Sequence, residues 1–361
     1  MKFSDVLEIK NGRNQKQVEN PNGKYPIYGS GGIMGYADDY ICEPYTVIIG
    51  RKGTINNPIY VETPFWNVDT AFGLQAKKDI LHPKYLYYFC VHFDFEALNT
   101  TVTIPSLTKA NLLNIHIPLP PLAEQTEIVD TLTSVDELIK IKKQQLELFD
   151  ELTKSRFIEL FGDPETNPYG WEITTVGEVC SSIVRGPFGS ALKKEFFVEP
   201  NETTYKVYEQ KHAIQKSATI GTYYVTAEKF DELRRFECVA GDILMSCSGT
   251  MGELYQLPEG CEKGLINQAL CKFTLNKKIL PIVFLTYMKQ TIGNLETKGS
   301  GIQNIAAVSY VKAMPINLAP MEVQEQFAAF VEQTDKSKLA VQQSIAELEE
   351  LKKSLMQKYF G

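Results

Sequence analysis

Two stretches of the chain carry apolar residues at helical spacing over an unusual length. No proline occurs between Pro121 and Pro164, and none occurs after Pro320. Because proline is disfavoured inside a helix, these gaps allow long uninterrupted helices. Apolar residues recur there at near-heptad spacing: Ile128, Leu132, Val135, Ile139, Leu146 and Phe149 in the first stretch, and Phe327, Val331, Val341, Ile345 and Leu348 in the second. The pattern predicts two coiled-coil helices, at 122–162 and 319–361, each roughly 60 Å long.

The rest of the chain has a different pattern. Residues 1–121 and 163–318 contain short β-branched and aromatic runs separated by glycine, asparagine and proline turns. Such runs are typical of short strands. Each segment also has one shorter helical piece, at 83–91 and 281–292. We therefore expect each segment to form an α+β domain.

The two halves of the chain repeat each other at an offset of 199 residues. Segment 117–125 (IPLPPLAEQ) aligns with 316–324 (INLAPMEVQ), and Phe161-Gly162 aligns with Phe360-Gly361 without a gap. Weaker matches pair 47–54 (VIIGRKGT) with 242–250 (DILMSCSGT), and 6–9 (VLEI) with 176–179 (VGEV). The repeat predicts two similar α+β domains on a duplicated spacer, with pseudo-twofold symmetry.

Composition narrows the class of protein. Apolar residues make up 43% and charged residues 22% of the 361 residues, which is ordinary for a globular protein. No stretch is long and apolar enough for a membrane span, and the first residues lack the apolar core of a signal peptide, so we expect a cytoplasmic protein. The seven cysteines form no C-x-x-C pair, which argues against a zinc ribbon or a disulfide framework.

The net charge of −7 is concentrated in the predicted helices. They carry −4 (122–162) and −2 (319–361), whereas 1–121 is neutral and 163–318 carries −1. Either long segment could therefore carry a local basic face, and charge alone neither supports nor excludes DNA as a partner.

No catalytic pattern stands out. The sequence Asn57-Pro58-Ile59-Tyr60 resembles the catalytic loop of adenine methyltransferases, but it lacks the second proline and a cofactor-binding glycine turn, so a plain turn before a strand is favoured. There is no phosphate-binding loop, and the four histidines do not pair at metal-ligand spacing. We therefore expect a protein that recognises a partner and catalyses nothing itself.

The candidate recognition residues lie at turns that follow predicted strands. Cations, glycines and small hydroxyl side chains at such turns can contact phosphates and base edges, although exposed turns with solvated charge are the alternative. The candidates are Lys10, Gly12, Arg13, Arg51, Lys52, Gly53 and Thr54 in the first half, and Arg185, Gly186, Ser190, Ser246, Ser248, Gly249 and Thr250 in the second.

The chain resembles the specificity subunit of type I restriction–modification enzymes. The resemblance is carried by the repeated IPLPPLAEQ-type motif ahead of two long helices, by 25–29 (YPIYG) with 49–54 (IGRKGT), and by 301–305 (GIQNI). The second copy of the motif departs from the first at Ala319, Met321 and Val323.

This resemblance implies a division of labour. Segments 1–121 and 163–318 would be target-recognition domains, each binding half of a split double-stranded DNA site. The helices 122–162 and 319–361 would pack antiparallel as a spacer and dock two methyltransferase subunits, which motor/nuclease subunits join. S-adenosylmethionine, ATP and Mg²⁺ would be bound by those partners, with no cofactor and no metal in this chain.

Two other hypotheses stay open on the sequence alone. The chain could be a stand-alone DNA methyltransferase, or a structural or interaction protein that no longer binds DNA. Binding of S-adenosylmethionine to the isolated chain would favour the first, and partner binding without duplex binding would favour the second.

Overall fold

The computed structural model describes residues 1–98, 107–163, 165–188, 191–297 and 307–361. The chain divides into two compact units, which we call unit 1 (residues 1–146 and 340–361) and unit 2 (residues 147–339). Unit 1 begins with ten short elements and the first part of a long helix: α1 (Phe3–Val6), β1 (Leu7–Asn11), β2 (Tyr25–Gly29), β3 (Gly32–Ala37), β4 (Thr46–Gly50), β5 (Ile59–Val61), β6 (Trp66–Asn67), β7 (Ala71–Ala76), α2 (Pro83–His92), α3 (Lys109–Leu113) and α4 (Leu122–Phe161).

Unit 2 contains the end of α4, a longer set of short elements and the first part of a second long helix. In chain order these are β8 (Glu172–Thr175), β9 (Cys180–Arg185), β10 (Tyr205–Tyr208), α5 (Gln210–Ile214), β11 (Tyr224–Val225), α6 (Ala227–Glu232), β12 (Glu237–Cys238), β13 (Ile243–Ser246), β14 (Leu254–Gln256), β15 (Gly264–Ile266), β16 (Leu270–Leu275), α7 (Pro281–Thr297), α8 (Val308–Ala313), β17 (Pro315–Leu318) and α9 (Met321–Phe360).

Each unit is built on the same antiparallel sheet of four strands. The order is β1-β7-β4-β5 in unit 1 and β9-β16-β13-β14 in unit 2. The register is also the same, since Ile49 lies opposite Phe72 as Met245 lies opposite Cys271. Cys271 follows Phe72 by the repeat offset of 199 residues, whereas Met245 follows Ile49 by 196. Strand β4 is buried along its whole length because the sheet is covered on both faces.

A second, smaller sheet in each unit starts from a parallel pair. Tyr28 of β2 lies opposite Asn67 of β6, and Tyr208 of β10 lies opposite Ile266 of β15. Unit 1 completes this sheet with β3, whereas unit 2 adds β11 and β12. The predicted α+β class and the internal repeat are both confirmed at this level.

One alignment drawn from the sequence has a different register in the structure. Sequence similarity paired 6–9 with 176–179. The structure instead matches Phe3 to Val176, because the Phe3 N–H donates to the Ile115 carbonyl (2.9 Å) as the Val176 N–H donates to the Met314 carbonyl (2.9 Å). The hydrogen-bonded match is therefore shifted by three residues from the one that sequence similarity suggested.

The repeated proline-rich motif ends in a buried glutamine that fixes the start of each long helix. Gln125 accepts from the His82 N–H (2.8 Å) and donates to the carbonyls of Ile80 (3.0 Å) and Pro120 (2.8 Å). Gln324 makes the equivalent three bonds with Leu280, Lys278 and Ala319. Because buried polar groups need partners, this pattern explains the glutamine in both copies.

In unit 1, the two long helices run antiparallel along each other. Lys352 Nζ lies 2.6 Å from Asp136 Oδ1, and Lys143 Nζ lies 2.9 Å from Glu349 Oε1. Residue numbers therefore increase along α4 in the direction in which they decrease along α9, so the two helices are antiparallel. At the far end of this pair, Phe360 packs against Tyr85 and Phe89 of α2, with ring centroids 5.0 and 6.0 Å apart.

In unit 2, the other parts of the same helices are also antiparallel. Lys338 Nζ lies 2.6 Å from Asp150 Oδ1, and the Phe157 ring packs against Phe327 at 5.3 Å. Phe161 lies 5.5 Å from Phe327 in a T-shaped arrangement, a geometry worth about 1 kcal/mol beyond buried area. The left-handed backbone of Gly162 (φ +78°) then ends α4, as the sequence predicts.

The heptad-like positions are buried or half-buried in the helical pairs. Those buried are Ile128, Leu132, Val135, Ile139, Phe327, Val331, Val341 and Ile345, and those half-buried are Leu146, Phe149 and Leu348. The predicted ranges 122–162 and 319–361 contain α4 and α9, while the four-part domain division stays a prediction because the compact units each include parts of both helices.

Candidate nucleic-acid interface

Three loops of unit 1 meet at one end of its main sheet. The Gly12 N–H donates to the Ala71 carbonyl (3.3 Å), and the Arg13 N–H donates to the Asn67 carbonyl (2.8 Å). The Arg51 N–H donates to the Thr70 carbonyl (2.8 Å). These bonds hold the segment after β1, the segment after β4 and the β6–β7 turn side by side.

Unit 2 holds its loops with counterparts of two of these three bonds, because Pro187 stands where unit 1 has Arg13 and has no N–H to donate. The Gly186 N–H donates to the Leu270 carbonyl (2.9 Å), and the Cys247 N–H donates to the Ala269 carbonyl (2.8 Å). Arg51 therefore corresponds to Cys247. The predicted pairing of the two turns at 51–54 and 247–250 agrees with the structure.

Gly12 and Gly186 serve this close approach. A Cβ atom at Gly12 would lie 1.8 Å from the Val68 carbonyl oxygen, and one at Gly186 would lie 1.9 Å from the Asn267 carbonyl oxygen. Only glycine fits at either position, so we assign these two candidates a packing role.

The cationic candidates of unit 1 differ in their surroundings. Lys10 forms an ion pair with Glu8 (2.8 Å) and is partly covered. Arg13, Arg51 and Lys52 are exposed, and within the described residues none of these three side chains has a carboxylate partner. The Arg51 guanidinium lies 5.7 Å from the centre of the Phe72 ring, which restricts where it points.

The remaining candidates of this loop, Gly53 and Thr54, lie in the turn itself. Gly53 has φ +77°, a left-handed conformation that other residues rarely adopt, and Thr54 is exposed beside it.

In unit 2, one cation lies at the equivalent place but comes from another strand. Arg185 ends β9 and donates through Nε to the Gln268 carbonyl (3.0 Å) and through Nη2 to the Cys247 carbonyl (3.4 Å). Its guanidinium also lies 5.7 Å from the ring centre of Phe188, which is 73% exposed. Sequence analysis did not select Phe188 as a candidate, because a single phenylalanine in a turn has no pattern that distinguishes an exposed ring from a buried one.

The serine-rich turn of unit 2 divides into buried and exposed parts. Ser246 is fully buried, and its hydroxyl donates to the Thr250 carbonyl (2.6 Å) and accepts from the Glu253 N–H (2.9 Å). It therefore holds the turn closed and does not face solvent. Ser248, Gly249 and Thr250 are exposed, and Gly249 has φ +59°. Ser190 lies outside the described residues, as does the 301–305 motif.

A fourth segment joins each loop set, and sequence analysis did not identify it. In unit 1, a Cβ at Gly50 would lie 3.0 Å from Ser30 Cβ, so the segment after β2 borders the loop after β4. In unit 2, Gln210 follows β10 and lies against Ser248 and Thr250. Tyr28 and Tyr208 occupy equivalent places in the smaller sheets, and Ser30 and Gln210 each follow two residues later. Aligning the two tyrosines is the step that could have located both residues.

The methyltransferase-like sequence forms part of a sheet. Ile59 and Tyr60 open β5, opposite Ile48 and Val47. This confirms the preferred interpretation of a turn before a strand. In the described part of the chain, no three His, Cys, Asp or Glu side chains are grouped to hold a metal ion. Among those residues there is also no helix with the length and apolar content to cross a bilayer.

The fold and the paired loop sets define a class of protein that comparison identifies. The chain belongs to the type I restriction modification DNA specificity domain family, whose model matches residues 1–148 and 168–350. This confirms the class predicted from the repeated motif, a type I specificity subunit. Specificity subunits are the non-catalytic component of type I systems.

Individual relatives carry the same description. A provisionally named type I specificity subunit from Haemophilus influenzae is 26% identical over 64% of this chain and 60% of its own length. Another, from Methanocaldococcus jannaschii, is 24% identical over 98% of this chain and 90% of its own. The match thus spans less than two thirds of the first relative and most of the second.

Solved structures share the fold. The S subunit of a type I system from M. genitalium superposes with a TM-score of 0.56 at 17% identity, covering 100% of this chain and 95% of that one. A chain from a study of type I complex assembly gives a TM-score of 0.65 at 16% identity, covering 99% and 96%. The predicted architecture of two α+β domains with long helices agrees with these folds.

Proposed function

We propose that this chain binds a split double-stranded DNA target, with the loop set of each unit recognising one half. The observation that carries the proposal is that the Gly12 and Arg51 bonds of unit 1 recur at Gly186 and Cys247 of unit 2, while the side chains on those loops differ. A fixed backbone with variable side chains suits two domains that recognise different base sequences.

The charges of the loops support DNA as the partner. In unit 1, Arg13, Arg51 and Lys52 leave three exposed positive charges near one another in the loop set, with Asp69 as the exposed acid of the adjoining turn. Guanidinium and ammonium groups at such positions bind phosphates or guanine edges. In unit 2, Arg185 supplies the cation, and Ser248 and Thr250 add neutral donors. The two halves of the target would therefore differ.

We further propose that the long helices dock two methyltransferase subunits, which motor/nuclease subunits join. Support comes from large apolar side chains of α4 that face solvent. In unit 1 these are Leu138 (47% exposed) and Ile141 (57%), and in unit 2 they are Leu148 (62%) and Leu152 (48%). Exposed apolar clusters of this kind mark interaction surfaces.

The chemistry would then belong to the partners. S-adenosylmethionine, ATP and Mg²⁺ would bind to the partner subunits, and the complex would act in the cytoplasm. Adenine methylation would require the partner to flip the base out of the stack.

One experiment separates this proposal from its alternatives. The purified full chain is used to select duplexes from a random library and is assayed for methyl transfer with and without the methyltransferase subunit of the same genome. We expect selection of a two-part sequence and methylation only with the partner. Methyl transfer by the chain alone would instead identify a stand-alone enzyme, and partner binding without duplex selection would identify an assembly protein.

The docking surface has its own variant. Ile141→Glu places a charge on the exposed face of α4 and should abolish binding to the methyltransferase subunit. Lys140→Glu changes charge at the neighbouring exposed position and serves as the control. Equal loss in both variants would contradict docking through the apolar side chains.

A further inference from the structure

Gln210 lies at the exposed edge of the unit 2 loop set with its carboxamide already oriented. Its Oε1 accepts a hydrogen bond from Ser248 Oγ (3.3 Å), and its Nε2 donates to the Thr250 carbonyl (3.4 Å). A carbonyl oxygen can only accept, so Thr250 determines which end of the amide carries the nitrogen. The side chain is half-buried, which leaves part of it open to solvent.

The hydrogen-bonding capacity of this amide is only half used. A glutamine amide offers two N–H donors and two acceptor lone pairs. Among the described residues, Ser248 and Thr250 occupy one of each, so one donor and one acceptor of the amide are left for a ligand. That remaining pair matches the N7 acceptor and N6 donor that adenine presents in the major groove.

Gly249 permits this arrangement. A Cβ at Gly249 would lie 3.0 Å from Gln210 Nε2, and the residue has φ +59°. A larger residue would crowd the amide and strain the turn. The turn therefore brings its backbone close to Gln210 and fixes the amide between its two hydrogen-bond partners.

Arg185 lies on the same turn, since its Nη2 donates to the Cys247 carbonyl (3.4 Å). The turn thus carries a guanidinium on one side and a carboxamide on the other. These are the two side chains that most often recognise guanine and adenine, respectively.

We propose that Gln210 is a specificity-determining residue of unit 2 that recognises one adenine through its carboxamide, an inference that rests on the DNA-binding function proposed above. Unit 1 has Ser30 at the corresponding place, and a hydroxyl cannot form the same two-bond contact. The adenine preference therefore belongs to the half-site of unit 2.

The test compares duplexes selected by the full chain and three variants. Gln210→Ala should reduce preference at one A·T pair from about 5- to 150-fold to nearly none, with other positions unchanged. Gln210→Glu should shift that same pair toward cytosine, because a carboxylate accepts from cytosine N4 but cannot donate to adenine N7. Gln215→Ala removes a glutamine from the exposed end of the same short helix and is the matched control.

The outcomes separate the inference from the function beneath it. If the wild-type chain selects a two-part sequence and Gln210→Ala and Gln210→Glu leave every position unchanged, the role of Gln210 is refuted and the proposed function stands. Uniform weakening at all positions would show that Gln210 only supports the turn, which also refutes the inference. If the wild-type chain selects nothing, the proposed function itself fails.

Discussion

Gln324 offers a sharp test of why the proline-rich motif occurs twice. Its side chain is 1% exposed and bonds to Leu280, Lys278 and Ala319 at 2.9, 3.0 and 2.9 Å. Gln324→Ala removes all three bonds and leaves backbone groups without partners. At about 1 kcal/mol per bond, we expect the free energy of unfolding of unit 2 to fall by about 3 kcal/mol.

The two tryptophans allow this loss to be measured in unit 2. Trp66 lies in unit 1, and Trp171 lies in unit 2, where it lines the same cleft as Gln324. In a Trp66→Phe background, Trp171 fluorescence therefore follows urea unfolding of unit 2. With a slope of about 2 kcal/mol per molar urea, a loss of about 3 kcal/mol lowers the midpoint by about 1.5 M.

Two further variants show what a refuting result looks like. Gln333→Ala removes an exposed glutamine from the same helix and should change stability by less than about 0.5 kcal/mol. Gln324→Glu buries a carboxylate beside two carbonyl oxygens and should be less stable than Gln324→Ala at neutral pH, recovering on acidification. If Gln324→Ala matches Gln333→Ala within 1 kcal/mol, the hydrogen bonds do not explain the motif.

The remaining predictions concern the loops and one buried histidine. Arg51→Ala should weaken duplex binding, and titration against salt should show a slope reduced by about 1 if Arg51 contacts a phosphate, whereas an unchanged slope with relaxed base choice would indicate readout. Gly186→Ala should destabilise unit 2 by about 1 to 3 kcal/mol, because its Cβ would lie 1.9 Å from the Asn267 carbonyl oxygen; unchanged Trp171 unfolding would contradict this. Burial lowers the pKa of His212, whose Nδ1 accepts from the Glu209 N–H (2.8 Å), so the unfolded chain takes up the proton first. Stability from this group is present above about pH 6.5 and is lost as pH falls through the lower folded pKa, a slope that His212→Gln should remove from melting temperatures measured between pH 5 and 7.5.

The long helices and the repeat were predictable because their signals are periodic. Forty residues without proline and a stripe at near-heptad spacing leave few alternatives to α4 and α9. Gln125 and Gln324 were visible as a repeated residue, but their role depends on carbonyls more than 40 positions away along the chain. Local pattern cannot supply such partners.

The loop sites were less predictable. In a sheet covered on both faces, buried and exposed residues do not alternate along a strand, so the sequence pattern does not show which side chains face solvent. All four residues of β13 are buried, so no alternation distinguishes the inward Ser246 from an exposed serine. Gln210 and Ser30 were missed for a different reason. The connection from β2 to β6 is shorter than that from β10 to β15, which contains α5, α6 and two added strands, so sequence alignment loses its register between these points.

The position of the cation shows how the two loop sets diverge without changing their backbone. Phe72 and Cys271 occupy the same place in the sheet, opposite Asn11 and Arg185 respectively. In unit 1 the guanidinium near this place comes from Arg51 at the end of β4, and in unit 2 it comes from Arg185 at the end of β9. Comparing loops one by one would therefore conclude that unit 2 lost its cation at Cys247. The hydrogen-bonded register shows instead that the charge of unit 2 comes from β9, on the other side of the central strand β16, so the loop set as a whole, and not any single turn, is the unit in which the two half-sites should be compared.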